Sequence, residues 1–277
     1  NQAMIVTKIV CGFGNQLFCY ACGYALAKRK KTRLLVDALT YDKAYDREFT
    51  LECLNIEAPV IRLKLPKVLR GGVRLCLALP RKYYHERVTR KADELVVTGE
   101  VGKNVYLSGY WQSEKYFEDC KEEIRKQFTP KQLSESAQKI IQQYKMGETI
   151  AVHIRRSDFL DCKICLNPEY YTKAISYMKK EIGNANFIFF SDDIEWAKQY
   201  FGEKKEFQYF EKAEDMTDLD EFFALSACKH QIIANSTWSW WAAWLNGNEG
   251  KVICYPKTEK KDQFYPDAWI GIAANYL

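Results

Sequence analysis

Histidine is scarce in this chain: three in 277 residues, at His85, His153 and His230, too few and too scattered for a His-rich metal site. There is no Walker loop and no serine nucleophile elbow, which removes the P-loop nucleotide hydrolases and the α/β-hydrolases. No window holds ~18 uncharged apolar residues, so no transmembrane helix is expected. Residues 1–7 show no basic stretch followed by an apolar one and a cleavage site, so no secretory signal is expected either. Asn1-Gln2-Ala3 ahead of Met4 reads as an expression scar and is set aside. Internal repeats and low-complexity tracts are missing too. The expected setting is the cytoplasm.

What is present is globular in composition. The hydrophobic fraction is 47% and the charged fraction 28%, close to the averages for packed domains. The length suggests two domains. The break is expected in the polar stretch 128–147, giving domains of 4–147 and 148–277. Ten cysteines are scattered without an export signal, which favours buried free thiols over a disulfide framework. Two Cys-x-x-Cys pairs, Cys19/Cys22 and Cys162/Cys165, stand 140 residues apart, whereas ribbon-type zinc sites pair them within ~15–20. No metal is expected.

Charge is unevenly spread. Residues 1–148 carry 26 Lys+Arg against 17 Asp+Glu, and residues 149–277 carry 15 against 19, within a total of +5. Between Arg62 and Lys91 ten basic residues face one acid, Glu86, amid Val, Leu and Tyr. Such a segment reads as a solvated face with snorkelling stems or as a surface resting on anionic lipid. The acidic second half and the lack of recognition motifs argue against nucleic acid.

Strand-like runs at 4–11, 33–36, 149–154, 186–190, 231–234 and 251–255 alternate with helical patterns, the pattern of α/β architecture with parallel sheets. Four clusters sit at the ends of these runs, where α/β sheets hold ligands. Gly12-Phe13-Gly14-Asn15-Gln16 joins a strand to a helix, with Leu17 where a dinucleotide fingerprint needs its third glycine. His153-Ile154-Arg155-Arg156-Ser157-Asp158 ends the run at 149. Extended alternation puts His153 and Arg155 on one face and Arg156 and Asp158 on the other. Paired arginines there suit a bidentate grip on phosphate, or an Arg156–Asp158 ion pair that holds the loop. Asp192 and Asp193 can accept from guanine or ribose, and at least one of them is expected to cap the following helix. Asn235-Ser236-Thr237-Trp238-Ser239-Trp240-Trp241 offers hydroxyls and backbone N–H groups to an anion. Its tryptophans, with Trp244, read as core more than as a sugar platform. Asp218-Leu219-Asp220 spells a metal-binding Asp-x-Asp but opens an amphipathic helix, where acids complement the dipole.

Gly12 to Phe18, Gly109-Tyr110-Trp111-Gln112-Ser113-Glu114-Lys115-Tyr116-Phe117, His153 to Asp158 and Asn235 to Trp241 stand in the order found in glycosyltransferase family 11, which this chain resembles from Ile5 to about Tyr255. Cys19 stands where Gln is common and Phe13 where Leu is usual. The resemblance implies a GT-B-like α/β fold, two Rossmann-like domains with parallel sheets facing across a cleft. It implies inverting, metal-independent α-1,2 transfer of fucose from GDP-β-L-fucose to the 2-hydroxyl of a terminal galactose, in surface-glycan synthesis. Donor binding then falls to His153, Arg155, Arg156, Asp192, Asp193, Asn235, Ser236, Thr237 and Ser239, and the acceptor side to Gly14, Asn15, Gln16, Trp111 and Gln112. Arg155 would stabilise the leaving β-phosphate, Asn15 would reach phosphate or acceptor, and Asp158 matches the motif without a settled role. GDP-fucose is a co-substrate, so no cofactor is expected. Partners would be a galactose-terminated or lipid-linked glycan and an anionic membrane met through Arg62 to Lys91. A sugar-binding protein without turnover, or a transferase using another nucleotide sugar, are the alternatives.

Overall fold

The computed structural model describes residues 3–41, 45–86, 90–259 and 263–277. Residues 87–89 of the basic run therefore lie outside the described residues, as do Asn1 and Gln2 of the expected scar. The chain divides into two compact units, Asn1–Lys131 with Asp262–Pro266, and Gln132–Lys261 with Asp267–Leu277.

The first unit is built on five strands: β1 (Met4–Lys8), β2 (Arg33–Asp37), β3 (Val60–Ile61), β4 (Lys82–His85) and β5 (Val105–Ser108). They pair in the order β3-β2-β1-β5-β4, all parallel. The middle of β1, Ile5 to Thr7, is fully buried, as an interior parallel strand covered on both faces must be. Helix Phe13–Arg29 follows β1 and buries Leu17, Phe18, Tyr20, Ala21 and Leu26. It seats closely because Gly23 has no side chain: a Cβ there would lie 2.8 Å from Thr7 Cβ.

The second unit holds β6 (Thr149–Ile154), β7 (Asn186–Ser191), β8 (Phe207–Tyr209), β9 (His230–Ile232), β10 (Ile253–Lys257) and β11 (Ile270–Ala273). The order is β11-β10-β9-β6-β7-β8, again all parallel. All six residues of β6 are buried, and Ile150, Val152, Phe187 and Phe189 pack with Tyr170, Met178 and Ile232 in one apolar core. The strand-like runs of the sequence all appear, with ends moved by a few residues.

The division falls at Lys131/Gln132, not at 147/148. Helix Glu135–Met146 is polar in sequence but packs against helix Asp218–Ala227 of the second unit. Two carboxylates fix its start: Asp220 Oδ1 accepts from Ser134 N at 3.1 Å and Asp215 Oδ2 from Ser136 N at 3.1 Å. All ten cysteines are free thiols, six of them buried. Among the described residues no helix is long and apolar enough to cross a membrane.

Candidate functional site

In the second unit β6 and β7 run in register, Ile154 opposite Ser191, so the residues after both strands emerge side by side. The backbone leaves the sheet at Arg156 (φ −127°, ψ −56°), which precedes the short helix Ser157–Asp161. Asp192 straps the two strand ends together. Its Oδ1 accepts from Arg156 N at 2.9 Å and its Oδ2 from Ser157 N at 3.0 Å. Asp193 caps helix Ile194–Phe201, accepting from Trp196 N at 3.3 Å.

The two arginines are each held by Nε. Arg155 Nε donates to Asp158 Oδ1 at 2.9 Å and lies 3.5 Å from Asp192 Oδ2. Arg156 Nε donates to Asp193 Oδ2 at 3.4 Å, and its guanidinium carbon lies 3.8 Å from the centre of the Trp196 ring. The pair expected between Arg156 and Asp158 is thus replaced by Arg155–Asp158. Extended alternation stops where the chain turns, and the helix at 157 brings Asp158 back toward Arg155. No terminal guanidinium nitrogen of either arginine bonds a described residue. Both therefore keep a fork of donors for a bidentate anion, Arg155 being the more exposed at 32% against 13%.

His153 lies just inside this cluster, 5% exposed, its ring 4.9 Å from that of Trp238. Its Nδ1 has no partner among the described residues. Burial, and next the charge of Arg155, push its pKa down to about 3, with Asp192 pulling the other way. The imidazole is neutral at neutral pH.

After β9, Asn235 Nδ2 donates to Ile164 O at 2.9 Å, while its buried Oδ1 meets no described donor. Ser236 caps helix Thr237–Trp244 through Trp238 N at 3.2 Å. Thr237 is half-buried at the first turn, whereas Ser239 is fully buried with its hydroxyl 3.4 Å from the carbonyls of Ala234 and Ser236. Trp240, Trp241 and Trp244 are core. Asp220 closes a capping box with Thr217, and Asp218 pairs with Lys212. Among the described residues no three His, Cys, Asp or Glu converge on a point that could hold a metal.

Two participants carry no motif. Trp196, the base on which Arg156 rests, is one. Glu221 is the other: burial pushes its carboxyl up to about 7, despite Lys212 3.9 Å away and with Asp218 and Asp192 adding to the rise. It is one of three acids in the first turn of helix Asp218–Ala227, and nothing local in the sequence singles it out.

In the first unit Gly12 precedes helix Phe13–Arg29. Gly14 is buried, and Gln16 is buried with its amide spent on the loop: Nε2 donates to Cys11 O and Glu48 O, and Oε1 accepts from Thr50 N. Asn15 Oδ1 accepts from Gln112 Nε2 at 2.7 Å, and Gln112 Oε1 accepts from Arg90 Nε at 3.1 Å. The first and second motifs therefore meet. Glu86, in sequence the single acid of the basic run, holds the turn that opens the second motif. Its Oε2 accepts from Tyr110 N at 2.8 Å and Trp111 N at 3.0 Å, and burial raises its pKa. Trp111 is fully buried, with a left-handed backbone at φ 53°.

A family model described as glycosyl transferase family 11 matches residues 78–273. An alpha-1,2-colitosyltransferase of Escherichia coli is 29% identical over 300 residues, spanning 98% of this chain and 99% of the relative. Human galactoside alpha-(1,2)-fucosyltransferase 1 is 26% identical over 287 residues, 95% of this chain and 73% of that protein. Among solved structures, fucosyltransferase NodZ from Bradyrhizobium superposes with a TM-score of 0.52 at 15% identity, covering 88% of this chain and 93% of that one. A mutant of Arabidopsis thaliana FUT1 in complex with GDP gives 0.52 at 13%, with 100% and 74% covered. These structures speak to the fold, which is α/β and GT-B-like, with two units on parallel sheets.

Proposed function

The chain belongs to glycosyl transferase family 11, and from that premise we propose that it transfers L-fucose from GDP-β-L-fucose to the 2-hydroxyl of a terminal galactose. The observation that carries the donor half of this reading is the arginine pair at the end of β6, anchored through Nε with its terminal nitrogens uncommitted.

The acceptor oxygen attacks C1 of fucose on the face opposite the nucleotide, the C1–O bond to the β-phosphate breaks, and the linkage inverts to α. The electron pair goes to the phosphate, so negative charge builds on GDP as the bond stretches. Fixed donors aimed at that charge lower the barrier without reorganising. Arg155 fills this role, turned and held by Asp158 and Asp192, and Arg156 is the second donor. No divalent cation takes part in this reading. The neutral His153 can donate or accept one hydrogen bond without competing for the phosphate, and together with Asp193 it reads the nucleoside. Ser236 and Thr237, at the head of their helix, add N–H and hydroxyl donors. Asp158 is a positioning residue for Arg155 here, and the acceptor proton leaves to a base outside this set. In the first unit Asn15 and Gln112, tied to each other, line the acceptor side beside Gly14 and Trp111. The acceptor is a galactose-terminated oligosaccharide or lipid-linked glycan of the cell surface, and the reaction runs in the cytoplasm.

A second reading concerns the donor sugar. The E. coli relative is named for colitose, which lacks the 3-hydroxyl of fucose, so a donor with that hydroxyl missing is the specific rival. Calorimetric titration with GDP, GDP-fucose, GDP-colitose and UDP-sugars in EDTA, followed by transfer to lactose, tests both. Guanine-selective binding without metal and fucosyl transfer are expected. Transfer from GDP-colitose alone would replace the donor, and no guanine binding would remove the reading altogether.

A further inference from the structure

Residues 62–85 contain seven Lys or Arg and no Asp or Glu. Helix Lys67–Ala78 lies within them and has no buried residue. Its half-buried face mixes Arg70 and Arg74 with Val73, Leu77 and Ala78. The arginines turn inward: Arg74 Nε donates to the buried carboxylate of Asp37 at 2.9 Å, and Arg70 Nη1 to Leu39 O at 2.9 Å. Other apolar side chains turn outward, with Val68 85% exposed, Leu69 57%, Leu75 55% and, just beyond the helix, Leu79 73%. Val68, Leu75 and Leu79 recur at helical spacing and form one stripe. A partly open cavity of about 250 Å³ adjoins one flank of the helix, lined in part by Gly71, Arg74, Ala78, Tyr106 and the edge of Leu75.

Exposed cations bracket the stripe: Lys64 and Lys67 at its start and Lys82 at its end. We propose that this face is a docking surface for an anionic bilayer, the helix lying flat with Val68, Leu75 and Leu79 among the acyl chains and the lysines at lipid phosphates. A helix with an apolar stripe edged by basic residues is the form that partitions into a headgroup region. Charge also selects lipid over a second copy of the chain. A symmetric pairing through this face would bring lysine against lysine, with no acid in the segment to answer either. The surface does not depend on which sugar is transferred.

Co-sedimentation with phosphatidylcholine vesicles, with and without phosphatidylglycerol, tests this. The protein should bind the anionic vesicles at low salt and release as salt rises. Lys64→Gln and Lys67→Gln should each weaken binding about fivefold. Val68→Glu with Leu79→Glu should abolish it while leaving the circular dichroism and thermal midpoint unchanged, since both sites are solvent-exposed and neither lines the cavity. Three results would overturn the proposal. One is failure of the wild type to bind anionic vesicles, and another is undiminished binding by the double glutamate variant. The third is a dimer in sedimentation velocity that the same variant dissolves, which would make the partner a second copy.

Discussion

Replacing His153 with Gln should flatten the acid side of the stability curve of the second unit. The ring is 5% exposed, and burial with the Arg155 charge lowers its pKa from 6.5 to about 3. Below about pH 6.5 an unfolded chain takes up a proton at this position that the folded chain refuses until about pH 3. The unfolded state therefore binds more protons across that window, so stability is full above it and falls as pH falls. Each pH unit well below 6.5 costs about 1.4 kcal/mol, so descending from about pH 6.5 to about pH 4.5 removes roughly 2–2.5 kcal/mol through this one ring. That is a large share of a typical stability of about 5–15 kcal/mol. Glutamine does not titrate. The variant starts less stable at neutral pH because it loses the ring contact with Trp238, but it should lose less on acidification. Urea midpoints read by tryptophan emission suit the measurement, because six of the seven tryptophans belong to the second unit. Only the difference between the two curves matters, since other titrating groups cancel in it. Parallel curves between about pH 6.5 and about pH 4.5 would refute the account of a neutral, buried imidazole.

The other predictions concern single groups. Arg155→Ala should lower transfer by about 10²–10³ with the fold intact, as loss of one fixed donor to a developing anion does; turnover near that of the wild type would move the role to Arg156. Glu221 has the opposite sign to His153. Its folded pKa is raised to about 7 by burial, so the carboxyl costs stability progressively as pH rises above its ordinary value, and Glu221→Gln should gain up to about 3 kcal/mol at pH about 8, with no gain near pH about 4. Equal effects at both pH values, read from urea midpoints, would show that the carboxyl titrates alike in the folded and unfolded chain. Gly109→Ala should cost about 1–3 kcal/mol, because its Cβ would lie 2.5 Å from Glu86 Cβ and the crowded turn must give way; an unchanged thermal midpoint would mean that the turn moves freely.

Much of this was legible in sequence because parallel strands buried on both faces are written as continuous apolar runs. Residues 149–154 and 186–190 declare themselves, and so does the place where each ends. Burial of Trp240 and Trp241 follows from their position between a strand and the next helix. The partner of Asp158 was not legible, since parity along a strand holds only while the backbone stays extended and Arg156 departs from it. Nor was the allegiance of residues 135–146, whose polar sequence hides a packing choice made by Asp215 and Asp220 some 80 positions downstream. The basic run announced its charge but not its direction. Arg74 faces inward because Asp37 at the end of β2 receives it, and no local spacing encodes that.

The segment around Gln263 and Phe264 has a consequence for how the chain matures on the ribosome. Gln263 accepts from Ala92 N at 2.7 Å and donates its own N–H to Arg90 O at 2.8 Å, while the Phe264 ring lies 5.9 Å from Phe18 and under the Arg90 guanidinium. These partners, Ala92, Arg90 and Phe18, belong to the first 131 residues, which are synthesised long before it. The first unit thus waits for nearly the whole translation before its last core aromatic arrives. During that wait Phe18 and Arg90 lack the ring that later covers them, so the nascent unit exposes apolar surface that a chaperone can recognise. A chain stopped after residue 131 would keep that surface permanently.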